Sequence, residues 1–162
     1  MEFTIEAPST GKASLCEPIL RSLPDWFGIE EDIRKYLVEI DRLPTYLALD
    51  RGGVLGFLTM KQHFPHSAEI LVMGCLPEVH RQGVGRSLIL RAEDWLLDQG
   101  VEYLQVKTLG PSRPDPGYEI TRAFYLSLEF EPLEEMNKIW DENNPCLVMV
   151  KKLERGRNGI LP

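Results

Sequence analysis

Two glycines and two arginines lie close together in a short stretch that begins at residue 77 and reads Pro-Glu-Val-His-Arg-Gln-Gly-Val-Gly-Arg-Ser. Gly83 and Gly85 carry no side chains, so a ligand can approach the backbone at these positions. When a helix begins at such a turn, its first unpaired N–H groups and its dipole favour an anion. The arginines and a serine hydroxyl add further donors. We therefore predict a phosphate-binding turn made by Arg81, Gln82, Gly83, Val84, Gly85, Arg86 and Ser87.

Two common nucleotide-binding motifs do not fit this turn. A Rossmann site needs a third glycine three residues after Gly85, where Leu88 stands, and it normally lies in the first strand-helix unit of a chain. A Walker loop needs Gly-Lys-Ser or Gly-Lys-Thr, but Arg86 follows Gly85. Because Gly-x-Gly by itself is weak evidence, a purely structural turn in an interaction domain remains an alternative.

An apolar strand is predicted immediately before the turn, from residue 67 to residue 76. Both of its faces are apolar, which indicates a central strand covered on both sides. After the turn the apolar period becomes helical through residue 99, and Gly100 is well placed to end that helix. Strict alternation along the strand places Ala68, Ile70 and Val72 on one face and Leu71, Met73 and Cys75 on the other.

The remaining elements follow from apolar periodicity and turn residues. Strands are expected at 3–7, 45–49, 54–61, 101–108, 130–139 and 146–153, helices at 12–23, 29–40 and 118–127, and a breaker-rich surface loop at 109–117. The order βααβββαβαββ predicts an α/β protein of the α+β type. Its central mixed sheet has about seven mostly antiparallel strands with one parallel step, flanked by about four helices. We expect a single domain at 1–153 and a polar tail at 154–162.

The composition restricts the partners and the compartment. The chain has 162 residues, with 18 Lys plus Arg against 25 Asp plus Glu, so its net charge of −7 repels nucleic acid. Three widely spaced cysteines without a Cys-x-x-Cys pair indicate neither a disulfide framework nor a zinc knuckle. The first residues do not form a basic stretch followed by an apolar run, and a run of about 18 apolar residues occurs nowhere. We expect a cytoplasmic protein with no nucleic-acid partner and no membrane partner.

The turn is similar to the signature of the GNAT superfamily of N-acetyltransferases, Gln/Arg-x-x-Gly-x-Gly/Ala after the fourth strand, commonly preceded by Pro-Glu. Pro77 and Glu78 are in place, whereas His80 stands where the family usually has Gln or Arg. The stretch from 123 to 130, Ala-Phe-Tyr-Leu-Ser-Leu-Glu-Phe, resembles a second family pattern that carries Phe-Tyr and ends in Gly-Phe; Glu129 replaces the usual glycine. The two motifs occur in the expected order, and the resemblance covers nearly the whole chain.

The resemblance implies the GNAT fold, with the sheet splayed between strands four and five and the pantetheine arm of acetyl-coenzyme A in the gap. Backbone groups near Cys75 and Leu76 would then pair with pantetheine, and Arg81 to Ser87 would hold the pyrophosphate. The implied reaction is direct transfer of an acetyl or other acyl group, within a ternary complex, to a primary amine of a small molecule or peptide. The implied partner is an amine-bearing substrate, and a homodimer is compatible with the resemblance.

The resemblance also assigns catalytic residues. Tyr125 stands where many relatives keep the tyrosine that protonates the coenzyme A sulfur, and an unperturbed phenol is a proton donor at neutral pH. The alternative is that Phe124 and Tyr125 are only core aromatics. Glu69 lies where several relatives carry a glutamate that deprotonates the amine, the alternative being a solvated charge near a strand end.

A metal site is not expected. His63 and His66 form a His-x-x-His pair in a loop that contains a proline, without carboxylate or cysteine partners at metal spacing. A second function remains open beside catalysis, namely a non-catalytic module that senses acetyl-coenzyme A or serves as a regulatory partner. The resemblance places acceptor specificity at about 23–44 and 109–118.

Overall fold

The computed structural model describes residues 1–155, and its elements follow the predicted order, with a short 3-10 helix added at Pro77–Val79. The strands are β1 Thr4–Ser9, β2 Thr45–Asp50, β3 Gly53–Phe64, β4 Ser67–Cys75, β5 Tyr103–Leu109, β6 Glu131–Asp141 and β7 Asn144–Lys152. The helices are α1 Ala13–Arg21, α2 Glu30–Arg42, α3 Val84–Asp98 and α4 Pro116–Ser127. Of the predicted tail at 154–162, residues 156–162 lie outside the described part of the chain.

All seven strands form one sheet in the order β1-β2-β3-β4-β5-β7-β6. Every neighbouring pair is antiparallel except β4 and β5, which run parallel because α3 crosses over between them. This arrangement confirms the predicted mixed sheet with a single parallel step, flanked by four helices.

The parallel pair of β4 and β5 separates partway along its length. Pairing begins at Ser67 with Tyr103 and ends at Ile70 with Val106. Beyond this point β5 continues along β7 as far as Leu109, whereas β4 continues along β3. A gap therefore opens between the two central strands, as the resemblance implied.

The predicted alternation of side chains along β4 is wrong beyond Ile70. Thr59 of β3 pairs with Val72, but the next residue, Met60, pairs with Ile70, so Leu71 is an extra residue in β4. Such a β-bulge reverses the faces of the residues that follow it. Ile70 accordingly belongs to the core on one face of the sheet and Val72 to the core on the other. The bulge coincides with the position where β5 leaves β4.

Two hydrophobic cores cover the sheet. The larger core lies under α3 and α4 and includes Leu88, Tyr125 and Phe130. The smaller core lies under α1 and α2 and includes Ile19 and Ile33. Both helical layers are amphipathic, so each buries one apolar stripe against the sheet and leaves its charged face in water.

Two local predictions need correction. The breaker-rich loop is shorter than expected, because α4 begins at Pro116, where proline suits the first helical turn, and the Asp115 side chain caps it by accepting a bond from the Tyr118 N–H at 3.1 Å. His63 lies within β3 and not in a loop, at a position where the pairing with β4 shifts register. No helix among residues 1–155 is long and apolar enough to cross a membrane.

Candidate active site

The predicted phosphate-binding turn leads directly into α3. Arg81 and Gly83 both adopt left-handed backbone conformations, with φ of 63° and 86°. The first helical hydrogen bond runs from the Ser87 N–H to the Gly83 carbonyl at 3.0 Å. The N–H groups of residues 84–86 therefore precede the helical bonding pattern and are available to an anion.

The turn exposes its two cationic side chains and its glutamine, and it buries its valine. Arg81 and Arg86 are exposed, and the first turn of α3 contains no acidic residue. Val84 is buried in the larger core, so only its backbone faces outward. The Gln82 side chain donates to the Glu78 carbonyl at 2.9 Å and stabilises the turn itself. The turn therefore presents two arginines and a helix N-terminus to solvent.

The missing side chains of the two glycines face different surroundings. A Cβ added at Gly83 would meet nothing within 4 Å, so its missing side chain faces open space. A Cβ at Gly85 would lie 3.3 Å from Cζ of Phe124 and 3.7 Å from Sγ of Cys75. The expectation that Gly85 leaves room for a ligand on its side-chain face needs correction, because that face packs against α4 and β4.

The end of β4 has fewer open backbone groups than expected. The Leu76 N–H donates to the Leu55 carbonyl at 2.8 Å, and the Leu76 carbonyl accepts from the Val79 N–H at 3.0 Å. The Cys75 carbonyl lies 2.9 Å from Nε2 of His80. A carbonyl has two lone pairs, so Cys75 retains an acceptor site, whereas the Leu76 N–H is already committed.

Trp26, in the connection between α1 and α2, joins the phosphate-binding turn to α4. Its ring meets His80 edge-on, with the centroids 6.3 Å apart, and its Nε1–H donates to Oγ1 of Thr121 at 3.0 Å. The Tyr118 hydroxyl donates to the Trp26 carbonyl at 3.4 Å. The resemblance places acceptor specificity in this region, but no local pattern singles out Trp26, because its contact joins residues 95 positions apart.

Tyr125 is buried in the larger core, 6% exposed, between the rings of Phe124 and Phe130. Burial raises the pKa of its hydroxyl well above the usual value, and Cys75 and then Tyr118 act in the same direction. The hydroxyl forms no hydrogen bond with any residue from 1 to 155. Tyr125 is therefore protonated at neutral pH, close to the end of β4, with an uncommitted donor.

Glu69 sits on the last stretch of β4 that still pairs with β5, and it is not solvated. Its residue exposure is 3%, Oε1 lies 2.8 Å from Nε2 of His63, and Oε2 accepts from Nζ of Lys107 at 3.0 Å. The His63 and Lys107 side chains are each about 30% exposed. The solvated-charge alternative is therefore wrong: Glu69 is a buried carboxylate reached from solvent through two partly exposed partners.

Two further tyrosines, Tyr36 and Tyr118, are half-buried and have raised hydroxyl pKa values. Burial raises the pKa of Tyr36, and Asp32 and then Glu69 contribute in the same direction. Burial also raises the pKa of Tyr118 to about 12, with Tyr36 as the next cause. Tyr118 in turn contributes to the raised pKa of Tyr125, after burial and Cys75. Neither Tyr36 nor Tyr118 is distinguishable from a core residue by sequence, since each fits the apolar period of its own helix.

The described part of the chain holds no group of three or more His, Cys, Asp or Glu side chains arranged to bind a metal ion. His66, the second histidine of the pair, stacks on Phe64 with centroids 5.9 Å apart. The three cysteines are free thiols, and burial raises the pKa of Cys75 to about 12, so this thiol is not a thiolate at neutral pH.

Solved structures of low sequence identity share this fold. A GNAT-family protein from Desulfovibrio desulfuricans superposes with a TM-score of 0.82 at 13% identity, covering 94% of this chain and 100% of that one. The ribosomal-protein-S18-alanine N-acetyltransferase of Escherichia coli gives 0.74 at 16% identity, covering 99% and 100%. The PaiA N-acetyltransferase of Thermoplasma acidophilum, solved in complex with coenzyme A, gives 0.72 at 19% identity, covering 94% and 99%.

Sequence comparison identifies the family independently of the fold. No curated protein sequence matches the chain. The sequence model of the acetyltransferase (GNAT) family, however, matches residues 15–125, well over half of the chain. The match contains β4, the phosphate-binding turn and α3, and it ends at Tyr125. The chain belongs to the GNAT family of acetyltransferases.

Proposed function

We propose that this chain is an N-acetyltransferase that transfers the acetyl group of acetyl-coenzyme A directly to a primary amine of a small molecule or peptide. The observation that carries the proposal is the gap where β4 leaves β5 after Ile70 and Val106. The phosphate-binding turn follows the end of β4, and an uncommitted buried phenol lies near Cys75. An extended thioester that enters the gap from the turn would meet that phenol.

Backbone groups and cationic side chains bind the coenzyme. The N–H groups of residues 84–86 bind the pyrophosphate, aided by the α3 dipole and by the side chains of Arg81, Arg86 and Ser87. Cys75 supplies backbone groups to the pantetheine arm, while the committed N–H of Leu76 does not. Coenzyme A in the structure of the Thermoplasma relative supports this class of co-substrate.

Glu69 and Tyr125 are assigned to the proton transfers. The carboxylate of Glu69 accepts the proton that the amine loses as it attacks, either directly or through one water. Tyr125 donates its proton to the sulfur that leaves the acetyl group. Burial supports the acid role, because it keeps the phenol protonated until the sulfur becomes negative. His63 and Lys107 hold the carboxylate in place.

The same proposal covers the extent of the domain, its compartment and the side of the gap where the acceptor binds. Residues 1–153 act as one catalytic domain, which operates in the cytoplasm, where the three free thiols stay reduced. The half-buried Tyr36 and Tyr118 and the ring of Trp26 line the acceptor side of the gap. A screen of amines, aminoglycosides, polyamines, amino acids and peptide N-termini, with thiol release as the readout, identifies the acceptor.

Acetyl-coenzyme A is expected to raise the melting temperature of the protein. At about one hundred times its dissociation constant, a ligand that binds only the native state adds roughly 2.7 kcal/mol to the free energy of unfolding. For a protein of this size that corresponds to a shift of about 5–10 °C. Differential scanning fluorimetry measures the shift, and its absence at millimolar acetyl-coenzyme A would contradict the proposal.

Gly83→Ala is expected to weaken the binding of coenzyme A by about tenfold, because a methyl group would stand in the open space where the ligand meets the backbone. Gly100→Ala is a matched control. Both glycines have φ of 86°, and neither has an atom within 4 Å of its added Cβ. Each alanine should cost about 1 kcal/mol of stability, because a side chain is strained in the left-handed region.

Isothermal titration calorimetry of both variants checks the assignment. Equal affinities of the two variants for coenzyme A would show that the ligand does not approach the backbone at Gly83.

A further inference from the structure

The side-chain hydroxyl of Thr108 is buried and has no hydrogen-bond partner in the described part of the chain. Thr108 is 3% exposed, and its Oγ1 forms no hydrogen bond with any residue from 1 to 155. The other fully buried threonines are satisfied, since Oγ1 of Thr45 and Oγ1 of Thr59 lie 2.8 Å apart and Thr45 also donates to the Leu43 carbonyl at 3.1 Å. A buried hydroxyl without a partner destabilises the folded state, so its retention indicates a partner that binds from outside the chain.

The position of Thr108 places this hydroxyl at the gap in the sheet. Thr108 lies two residues beyond Val106, the last residue of β5 that pairs with β4. The pairing of β5 with β7 is regular through this segment, so side chains alternate without interruption. Thr108 therefore shares a face with Leu104 and Val106, both members of the larger core.

Helix α4 covers the same end of β5. Nη1 of Arg122 donates to the Leu109 carbonyl at 2.7 Å, which fixes α4 against the residue that follows Thr108. The core on this face also contains Tyr125, the proposed proton donor. On the opposite face, Lys107 turns toward Glu69. Thr108 therefore lies on the face of β5 that is covered by the core holding the proposed acid, in the part of β5 that no longer pairs with β4.

We propose that the Thr108 hydroxyl forms a hydrogen bond with an amide of the pantetheine arm of bound acetyl-coenzyme A. The inference rests on the proposed function, which places this arm between β4 and β5. The arm is narrow and apolar except for its amides, each of which offers one N–H donor and one carbonyl acceptor. A hydroxyl both donates and accepts, so it satisfies either group in a site that water does not reach.

Replacing Thr108 by valine, a residue of nearly the same shape, separates this role from a structural one. The free protein should become more stable, with a melting temperature about 2–4 °C higher, because an unsatisfied hydroxyl is removed. The dissociation constant for coenzyme A should rise about 5- to 20-fold, because an amide of the ligand loses its partner. Adenosine 3′,5′-bisphosphate, which lacks the pantetheine arm, should bind both proteins equally.

Thr59→Val is the matched control. It removes a buried hydroxyl that has a partner, so the melting temperature should fall while the affinity for coenzyme A stays unchanged. Calorimetric titration of wild type and both variants with coenzyme A and with adenosine 3′,5′-bisphosphate measures the affinities. If wild type binds coenzyme A and Thr108→Val binds it as tightly, or loses affinity for both probes alike, the Thr108 proposal is wrong. If wild type binds neither probe, the proposed function itself fails.

Discussion

Tyr125→Phe is expected to lower the turnover number by at least about 100-fold with any good amine acceptor, while the affinity for acetyl-coenzyme A stays nearly unchanged. The substitution removes one oxygen and keeps the ring that packs between Phe124 and Phe130. General acid catalysis typically contributes about 100- to 10,000-fold. Because a thiolate is a fairly good leaving group, the effect should lie in the lower part of that range.

Tyr46→Phe provides the control for this experiment. Tyr46 is also a buried tyrosine of the larger core, but its hydroxyl donates to the Arg91 carbonyl at 3.3 Å, away from the gap. Its removal should leave turnover unchanged. Steady-state kinetics and titration of both variants distinguish the roles. Equal turnover of Tyr125→Phe and wild type would reduce Tyr125 to a core aromatic. Binding of acetyl-coenzyme A by a wild-type protein that turns over no acceptor would favour the non-catalytic sensor.

Glu69→Gln is expected to lower the turnover number by about 100- to 10,000-fold, the usual contribution of a general base. Glutamine has nearly the same shape, and its amide oxygen keeps one of the two hydrogen bonds to His63 and Lys107. The amide, however, cannot accept a proton at neutral pH. The variant should also lose some stability, because Lys107 loses an anionic partner.

Glu93→Gln is the control that separates the loss of turnover from the loss of stability. Glu93 is a fully buried carboxylate on α3, with Oε1 2.6 Å from Nζ of Lys151, and neither residue is assigned to the proposed site. Its replacement should reduce stability and leave the turnover number of the folded enzyme unchanged. Thermal melts and steady-state rates of both variants provide the comparison. If both retain wild-type turnover, Glu69 only anchors His63 and Lys107, and another group takes the proton.

Local sequence patterns were sufficient to determine the element order and the family. Helical and strand periods differ, so the change after residue 83 marked the beginning of α3, and Gly83 marked the turn itself. The order of elements then restricted the sheet to one parallel step, because only one helix follows a central strand and returns to a neighbouring one. Tyr125 could be predicted as the proton donor because the motif that contains it is contiguous in the chain.

Contacts between distant segments were decided only by the tertiary structure. The bulge at Leu71 depends on pairing with β3, so an alternating apolar pattern could not reveal it. Gly85 faces Phe124, which lies in another helix, and the partners of Glu69 come from two other strands. Thr108 fits the strand period of β5 whether or not its hydroxyl has a partner. Whether a polar atom is buried, and what satisfies it, depends on every element packed around it, and no local pattern contains that information.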